Sequence, residues 1–505
     1  MKRITSILIV LLIGISNIDA QSIADNEYKL RNYFWFGTDN ASSLSQTPID
    51  IMGNLSLIYN YENGGLHLQQ NPQSLNNASL QTSGIGKVGG WTLWGDFSFT
   101  NKFEKGTRYN TINYEIEEDM PYFVADTFAS GWNKQAYIMS MKIASPIVWD
   151  RVSFGLRVDY DTKVGAKQKD PRCETYKRNF ALFPSATISL GAHTLGLYAE
   201  YESEFERTEP DLENYRKTQK VYISNGLGEG LVAKVGDNDG IKTFLFDGLT
   251  FGGGLQYGYK GTSAEIFSEL RFEHFSKTST QNPKLPKPMG QIARNRISAD
   301  IKGAFGSKRN HLVELGAIIN ITRGNEYILK LNKTEYEQNW DIIAINPMSN
   351  FTRMDIHAGY DYQQTRSGRF DWAAGLDADF SSRDYSYISP SDYFGANNIL
   401  CTAHGDKQFT SGAHSFLLGL EGGYNLSLGA QYTYTGSEKT LPLQQLYHED
   451  AAILASDYYN AGVRLVYGYK ARAISYNIDL GAKYLRSTTL PLDRIVATVT
   501  ASLTF

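Results

Sequence analysis

The chain carries 505 residues, with 49 Lys and Arg against 53 Asp and Glu, a net charge of −4 and a pI near 6.1. That balance excludes the basic surface on which nucleic-acid binding rests. Beyond Ala20 no run approaches the ~18 apolar residues of a membrane helix. A mean hydropathy of −0.35 still leaves a membrane β-barrel open, because only alternate strand residues of a barrel face lipid.

Lys2 and Arg3 precede an apolar run from Ile7 to Ile15, followed by Ile18-Asp19-Ala20. This predicts a secretory signal peptide over residues 1–20. The run is too short to span a bilayer, and no Cys near Ala20 suggests a lipoprotein. Residues 21–50 show no clean period. They are expected to fold into a wide lumen as a small plug, the alternative being a loose periplasmic tail.

The rest, 51–505, reads as a series of strands. A long first strand over 52–70 is expected, then segments near 150–163, 193–206, 262–277, 309–322, 351–364, 425–437 and 456–470. The cleanest alternation is Phe370, Trp372, Ala374, Leu376, Ala378 and Phe380 against Arg369, Asp371, Ala373, Gly375, Asp377 and Asp379. The last segment turns Ile495, Ala497, Val499, Ala501, Leu503 and Phe505 to one face and Arg494, Thr498, Thr500, Ser502 and Thr504 to the other. An apolar-out, polar-in strand with a terminal Phe resembles the closing strand that the barrel-assembly machinery reads. Connections near 147–149, 191–193, 260–262, 306–309, 365–368 and 470–472 are short. Those near 104–132, 164–178, 207–247, 278–289, 325–350, 384–412 and 438–455 are long. Short turns on one side and long loops on the other predict an all-β, transmembrane antiparallel barrel of about 18 strands (range 14–18). Tyr 33, Phe 25 and Trp 7 suit its aromatic girdles.

Alternation turns Glu265, Glu269, Arg271, Asp300, Asp371, Asp377, Asp379 and Asp479 toward the lumen. This ladder reads either as a solute path whose acidic excess favours cations or as a salt-bridged interior. Glu200, Glu202, Glu204 and Glu206 have the oxygen chemistry of a divalent-cation site and equally that of a solvated rim. His448-Glu449-Asp450 points in three directions, and His357, inward beside Asp355, is expected to form an inward pair with a carboxylate. Gly252-Gly253-Gly254 lies inside a predicted strand rather than before a helix, which argues for a bend or bulge and against a nucleotide loop. With no G-x-S-x-G, no enzyme activity, cofactor or metal is expected. Cys173 and Cys401 fall in two predicted surface loops and allow one disulfide or two free thiols.

Trp35-Phe36-Gly37-Thr38-Asp39-Asn40-Ala41-Ser42-Ser43-Leu44 resembles the G-x-x-N-A-A-G-L opening of an uncharacterised Gram-negative outer-membrane barrel family, a domain of unknown function. Ser42-Ser43 stand where that pattern has Ala-Gly. Lys169-Asp170-Pro171-Arg172, followed by Tyr176, is similar to a basic loop of the same family, as is Gly226-Leu227-Gly228 through Asp237-Gly240. The opening is also loosely similar to that of fatty-acid-transporter-type barrels, whose N-terminus sits in the lumen. The resemblance implies a barrel over nearly the whole chain, Asn40 within an inward N-terminal segment, and no particular activity.

The expected function is a passive or gated channel or transporter in the cell outer membrane. The alternatives are a structural anchor that binds partner proteins at the surface or in the periplasm and, third, an outer-membrane hydrolase. Expected partners are outer-membrane lipid, lipopolysaccharide and, during biogenesis, the barrel-assembly machinery; nucleic acid is not among them.

Overall fold

The computed structural model describes residue 28 and residues 31–117, 119–213, 218–235, 243–282, 285–334, 338–366, 368–436 and 438–505. The predicted signal peptide and Asp237–Gly240 lie outside the described residues. Eighteen antiparallel strands close into one barrel. They are β1 (Ile51–Gly64), β2 (Ser74–Val88), β3 (Trp91–Thr107), β4 (Ser130–Ala144), β5 (Val152–Lys167), β6 (Arg172–Leu190), β7 (His193–Asp211), β8 (Phe244–Lys260) and β9 (Ala264–Gln281). The second half comprises β10 (Lys287–Phe305), β11 (His311–Lys333), β12 (Gln338–Arg366), β13 (Arg369–Tyr387), β14 (Asp392–Ser411), β15 (His414–Thr433), β16 (Tyr458–Ala471), β17 (Ile474–Ser487) and β18 (Asp493–Thr504).

The barrel closes where β1 pairs with β18, from Asn54↔Thr504 to Gly64↔Arg494. Gly53 and Phe505 exchange both backbone hydrogen bonds, at 2.7 and 3.0 Å. The Phe505 ring lies across Gly53, where an added Cβ would stand 2.2 Å from it. Closure leaves no unpaired sheet edge at the lipid, the condition for a sheet to cross a bilayer. Leu57, Ile495 and Val499 are exposed on the outer face, while Arg494, Ser502 and Thr504 are buried on the inner one. An apolar band outside and a polar wall inside make this an outer-membrane β-barrel.

Turns on the periplasmic side are tight. At 89–90, Gly89 and Gly90 have φ of 58° and 85°, the left-handed pair that a two-residue hairpin turn requires. The other side differs from expectation. Segments 164–178, 278–289, 325–350 and 384–412, read as long loops, are mostly strand among the described residues, with short turns at 168–171 and 388–391. Their ladders continue above the lipid, where the outer face no longer has to be apolar and the alternation fades. The expected strand 52–70 resolves into β1 plus a loop, and β2 and β14, whose outward positions include Gly84, Gly86, Ala403 and Gly405, had no signature. The cysteines move accordingly. Cys401 sits mid-strand in β14, opposite Ala378 and Tyr424 on the outer face, and Cys173 is buried with Trp132, Phe244 and Phe246. Both are free thiols, so the disulfide reading is corrected.

Three long connections remain, 108–129, 212–243 and 434–457. They fold together over the extracellular mouth. Val124–Ala125, Gln219–Gly226 and Glu229–Val235 form a small sheet, and helix α1 (Leu441–Leu454) lies against it. Leu443 and Leu446 of α1 pack on Tyr109, Phe123 and Ala125. Leu227 packs on Phe351, Tyr385 and Phe394 of the wall. Burial of this much apolar surface gives the loops a core of their own, which converts them from tethers into a cap.

Candidate functional site

The N-terminal segment lies inside the lumen at its periplasmic end and follows the wall from β13 round to β5, with Phe34 and Trp35 packed on Phe267, Ala304 and Leu312 between its two ends. At one end the Tyr28 ring meets Phe370 and the Arg31 guanidinium donates to the Asp361 carboxylate. At the other, Asp39 accepts from Arg157 and, at 2.6 Å, from Arg271. Asn40 caps a short 3-10 helix, Ala41–Gln46: its Oδ1 accepts from the Ser42 backbone N–H at 3.0 Å. Its Nδ2 donates to Gln256 Oε1 at 2.9 Å and Thr187 Oγ1 at 3.2 Å. Ser42 and Ser43 are fully packed, with both hydroxyls satisfied. Ser42 Oγ meets Asn40 Oδ1 at 2.5 Å, and Ser43 Oγ donates to the Asn40 carbonyl at 2.8 Å.

Glycines on three wall strands make this docking sterically feasible. A Cβ on Gly155 would lie 2.2 Å from the Ser42 backbone N, one on Gly196 2.7 Å from Asn40 Nδ2, and one on Gly258 2.8 Å from the Trp35 ring. Each glycine leaves a notch into which the segment settles.

From the Arg31 contact an acid–base chain climbs the wall of β12 to β14. Asp361, held by Arg31, accepts from His404 Nε2 at 2.7 Å. His404 Nδ1 is 3.1 Å from Asp377. Asp377 is 4.0 Å from His357 Nε2, and His357 Nδ1 is 2.7 Å from Asp379. Exposure of the carboxylates rises along the chain, from 3% at Asp361 to 27% at Asp377 and 47% at Asp379. Beside it, His404, Asp406, Glu421, Arg464, Asp479 and Lys483 line a cavity of about 440 Å³. Arg464 pairs with Asp479 at 2.7 Å, and Lys483 with Glu421 at 2.8 Å.

The remaining predicted residues separate by role. Glu265 faces inward at the periplasmic end and takes Arg309 at 2.5 Å. Glu269 accepts from Tyr198 and Gln256 at 2.7 and 2.6 Å. Arg271 joins Asp39 to Glu200, at 2.8 Å from the latter. Asp300 stands on the same inner face, opposite Glu269 and Gly316. Asp371 does not follow the alternation. Gln364 pairs with Trp372 and Thr365 with Phe370, so Asp371 is the extra residue of a bulge, which turns Phe370 inward. Its carboxylate meets Lys407, beside the outward Phe409 ring. His357 takes Asp379 as its carboxylate partner, while the neighbouring Asp355 holds Arg353 at 2.8 Å.

The acidic run of β7 is engaged by the fold at Glu200, Glu204 and Glu206. Glu204 binds Lys177 at 2.9 Å and Lys277 at 2.5 Å, and Glu206 accepts from the Tyr114 backbone N–H at 2.7 Å. It fastens loop 108–129 rather than forming a cation site or an open rim. Glu449 and Asp450 likewise tie α1 down, to Arg108 at 2.9 Å and the Gln69 N–H at 2.8 Å. Gly252–Gly254 continue a ladder without a register shift, so the expected bulge is absent there; Gly254 instead makes room for the Tyr198 ring. No group of three or more His, Cys, Asp and Glu side chains among the described residues is arranged to hold a metal ion.

Sequence reasoning missed Arg31, Asp361 and His404. Asp361 lies in a segment read correctly as a strand, and its inward parity could have identified it. His404 lies in 384–412, read as a loop, so its facing had no meaning.

On the extracellular side the cap is latched to the wall by charge. Arg294 donates to Glu117 and, at 3.0 Å, to Asp119; Thr322 Oγ1 donates to Asp119 at 2.9 Å. Burial opposes ionisation of Glu117, yet Arg294, with Lys277 and Lys177, outweighs it and holds the carboxyl below its ordinary value of 4.5.

A family model described as a family of unknown function (DUF6850) matches residues 41–505, and the chain belongs to that family. No curated protein matches. Among solved structures, the ferric yersiniabactin uptake receptor FyuA from Yersinia pestis is similar at 9% identity over 91% of this chain and 80% of that one, with a TM-score of 0.42. The ferric preacinetobactin receptor BauA from Acinetobacter baumannii is similar at 8% identity, 90% and 80% coverage and a TM-score of 0.38. The toluene transporter TodX from P. putida is similar at 12% identity, 92% and 91% coverage and a TM-score of 0.29.

Proposed function

We propose that this outer-membrane barrel is a doubly gated conduit for a small polar solute. The N-terminal segment is the periplasmic gate and the loop cap the extracellular one. The observation that carries the reading is the attachment of the N-terminal segment to two separate stretches of the wall by distinct ion pairs, Arg31–Asp361 and Asp39–Arg157/Arg271. A structural tail has no need of clasps at both ends. A strap that must hold and release does, because partly exposed ion pairs each contribute only ~0–1 kcal/mol and can be exchanged for solvent. The wall left uncovered beside it carries carboxylates and imidazoles, which favour cationic or hydrogen-bonding solutes over anions.

The test is conductance in planar bilayers under a salt gradient. Three proteins are compared: wild type, the strap-released Arg31→Gln/Asp39→Asn variant, and that variant with loop 108–129 shortened. Discrete steps with a cation-leaning reversal potential are expected in the form with both closures released, and little change from wild type in the form with the strap alone released. Silence in all three overturns the conduit reading and favours an anchoring role for the cap.

A further inference from the structure

The hairpin of β11 and β12 outgrows the barrel. Pairing of β11 with β10 stops at Glu326, and pairing of β12 with β13 stops at Ser349. Above those points 327–333 and 338–347 pair only with each other, as a two-stranded blade; Met348 is the last residue bonded sideways, its carbonyl accepting from the Ile388 N–H at 2.9 Å. Its outward face continues the parity of the lipid face below. On β11 that face runs through Val313, Leu315, Ala317, Ile319 and Ile321, roughly 20 Å along the membrane normal for tilted strands, close to the ~25 Å apolar belt of such barrels. A polar collar follows, Arg323 and Asn325, with Asn350 opposite. Above the collar the face turns apolar again: Tyr327, Leu329 and Leu331 stand opposite Ile345, Ile342 and Trp340. Leu331, Ile342 and Ile345 are 39%, 44% and 54% exposed. This second apolar band reaches roughly 20 Å above Arg323, so lipid does not cover it.

An isolated two-stranded hairpin is marginal in water, and one with an exposed apolar face needs a cover. We infer that the cover is the same blade of a second copy, packed face to face across a two-fold axis along the membrane normal. The bilayer fixes the height and tilt of every barrel. The surface that arrives at the same height, facing this one, is therefore the identical blade of a neighbour. The face is also self-complementary. Its six positions are all apolar or aromatic, and the cation against it, Lys287 Nζ at 5.0 Å, sits over the Trp340 ring, so two copies bring no opposed charges into contact. Two such faces stack as sheets do, ~10 Å apart, and an isologous contact closes at the dimer.

The test is oxidative crosslinking in native outer membranes of the full chain carrying Cys401→Ser. Leu331→Cys is expected to form a disulfide-linked band of two chains. The band should vanish when Leu329→Glu and Ile342→Glu are added, with the heat-modifiable mobility of the folded barrel unchanged. Leu57→Cys, outward on the distant β1, should stay a single chain. A Leu331→Cys protein that stays single, or links to a different protein, overturns the inference. So does a Leu57→Cys protein that crosslinks equally, since that is collision, or a Glu variant that still dimerises.

Discussion

At the scale of single residues, the periplasmic strap depends on missing atoms as much as on ion pairs. Gly155→Val puts a branched side chain where 2.2 Å separates even a Cβ from the Ser42 backbone. The wall strand is held by ladders on both sides, so the strap yields. Overpacking of this kind costs about 1–3 kcal/mol. The expected outcome is a folded barrel in which trypsin cleaves after Arg31 several-fold faster than in wild type; unchanged cleavage would mean the strap is held elsewhere. Asp39→Asn acts on the other determinant. It leaves Arg157 and Arg271 facing a neutral amide and removes two charge-assisted bonds of about 1.5–3 kcal/mol each before solvent screening. The same tryptic assay should show faster cleavage. Sequence made the inward positions legible wherever a strand crossed lipid, as at Asp377, Asp379 and Asp479. It did not make the partners legible. Arg31 and Asp361 are 330 positions apart, and no local pattern reports that pairing.

Among the elements, the loops diverge most from a reading by period. A period-two signal exists because one face of a strand meets lipid. Where β13 and β14 rise out of the membrane, both faces are free to be mixed; lower on β14 the outward residues Cys401, Ala403 and Gly405 are too small to mark a face, so residues 384–412 lose the signal while keeping the ladder. Loop 108–129 shows the opposite case: no period, yet a fixed place, because Glu206 takes the Tyr114 N–H and Arg294 takes Glu117 and Asp119. Its attachment depends on pH with a definite sign. Glu117 ionises more readily in the folded protein than its ordinary 4.5. The folded state therefore binds fewer protons, and the stabilisation is complete above that value and lost as pH falls through the lower folded one. Limited proteolysis of loop 108–129 should be slow at neutral pH and accelerate below about pH 4.5, and Glu117→Gln should flatten that dependence. A profile that Glu117→Gln leaves intact would show that this carboxylate is not the latch.

For the whole molecule, the strap and the cap stand in series along one lumen, and series gates make a prediction that neither gate makes alone. Flux through two closures in series is limited by the tighter one. Releasing the strap with Arg31→Gln/Asp39→Asn therefore changes conductance little while the cap is latched. Releasing the cap with Arg294→Gln, which frees Glu117 and Asp119, changes it little while the strap is clasped. The combined variant should conduct far more than the sum of the two. That excess is a coupling in the sense of a double-mutant cycle, although the sites lie at opposite ends of the barrel and share no contact. Independent sites far apart normally add, so strong non-additivity here reports the shared lumen rather than a direct interaction. The measurement is single-channel recording of the four proteins in one bilayer system. Additive conductances, or full opening from the strap variant alone, would reduce the cap to a cover that solute passes freely and leave the strap as the single gate.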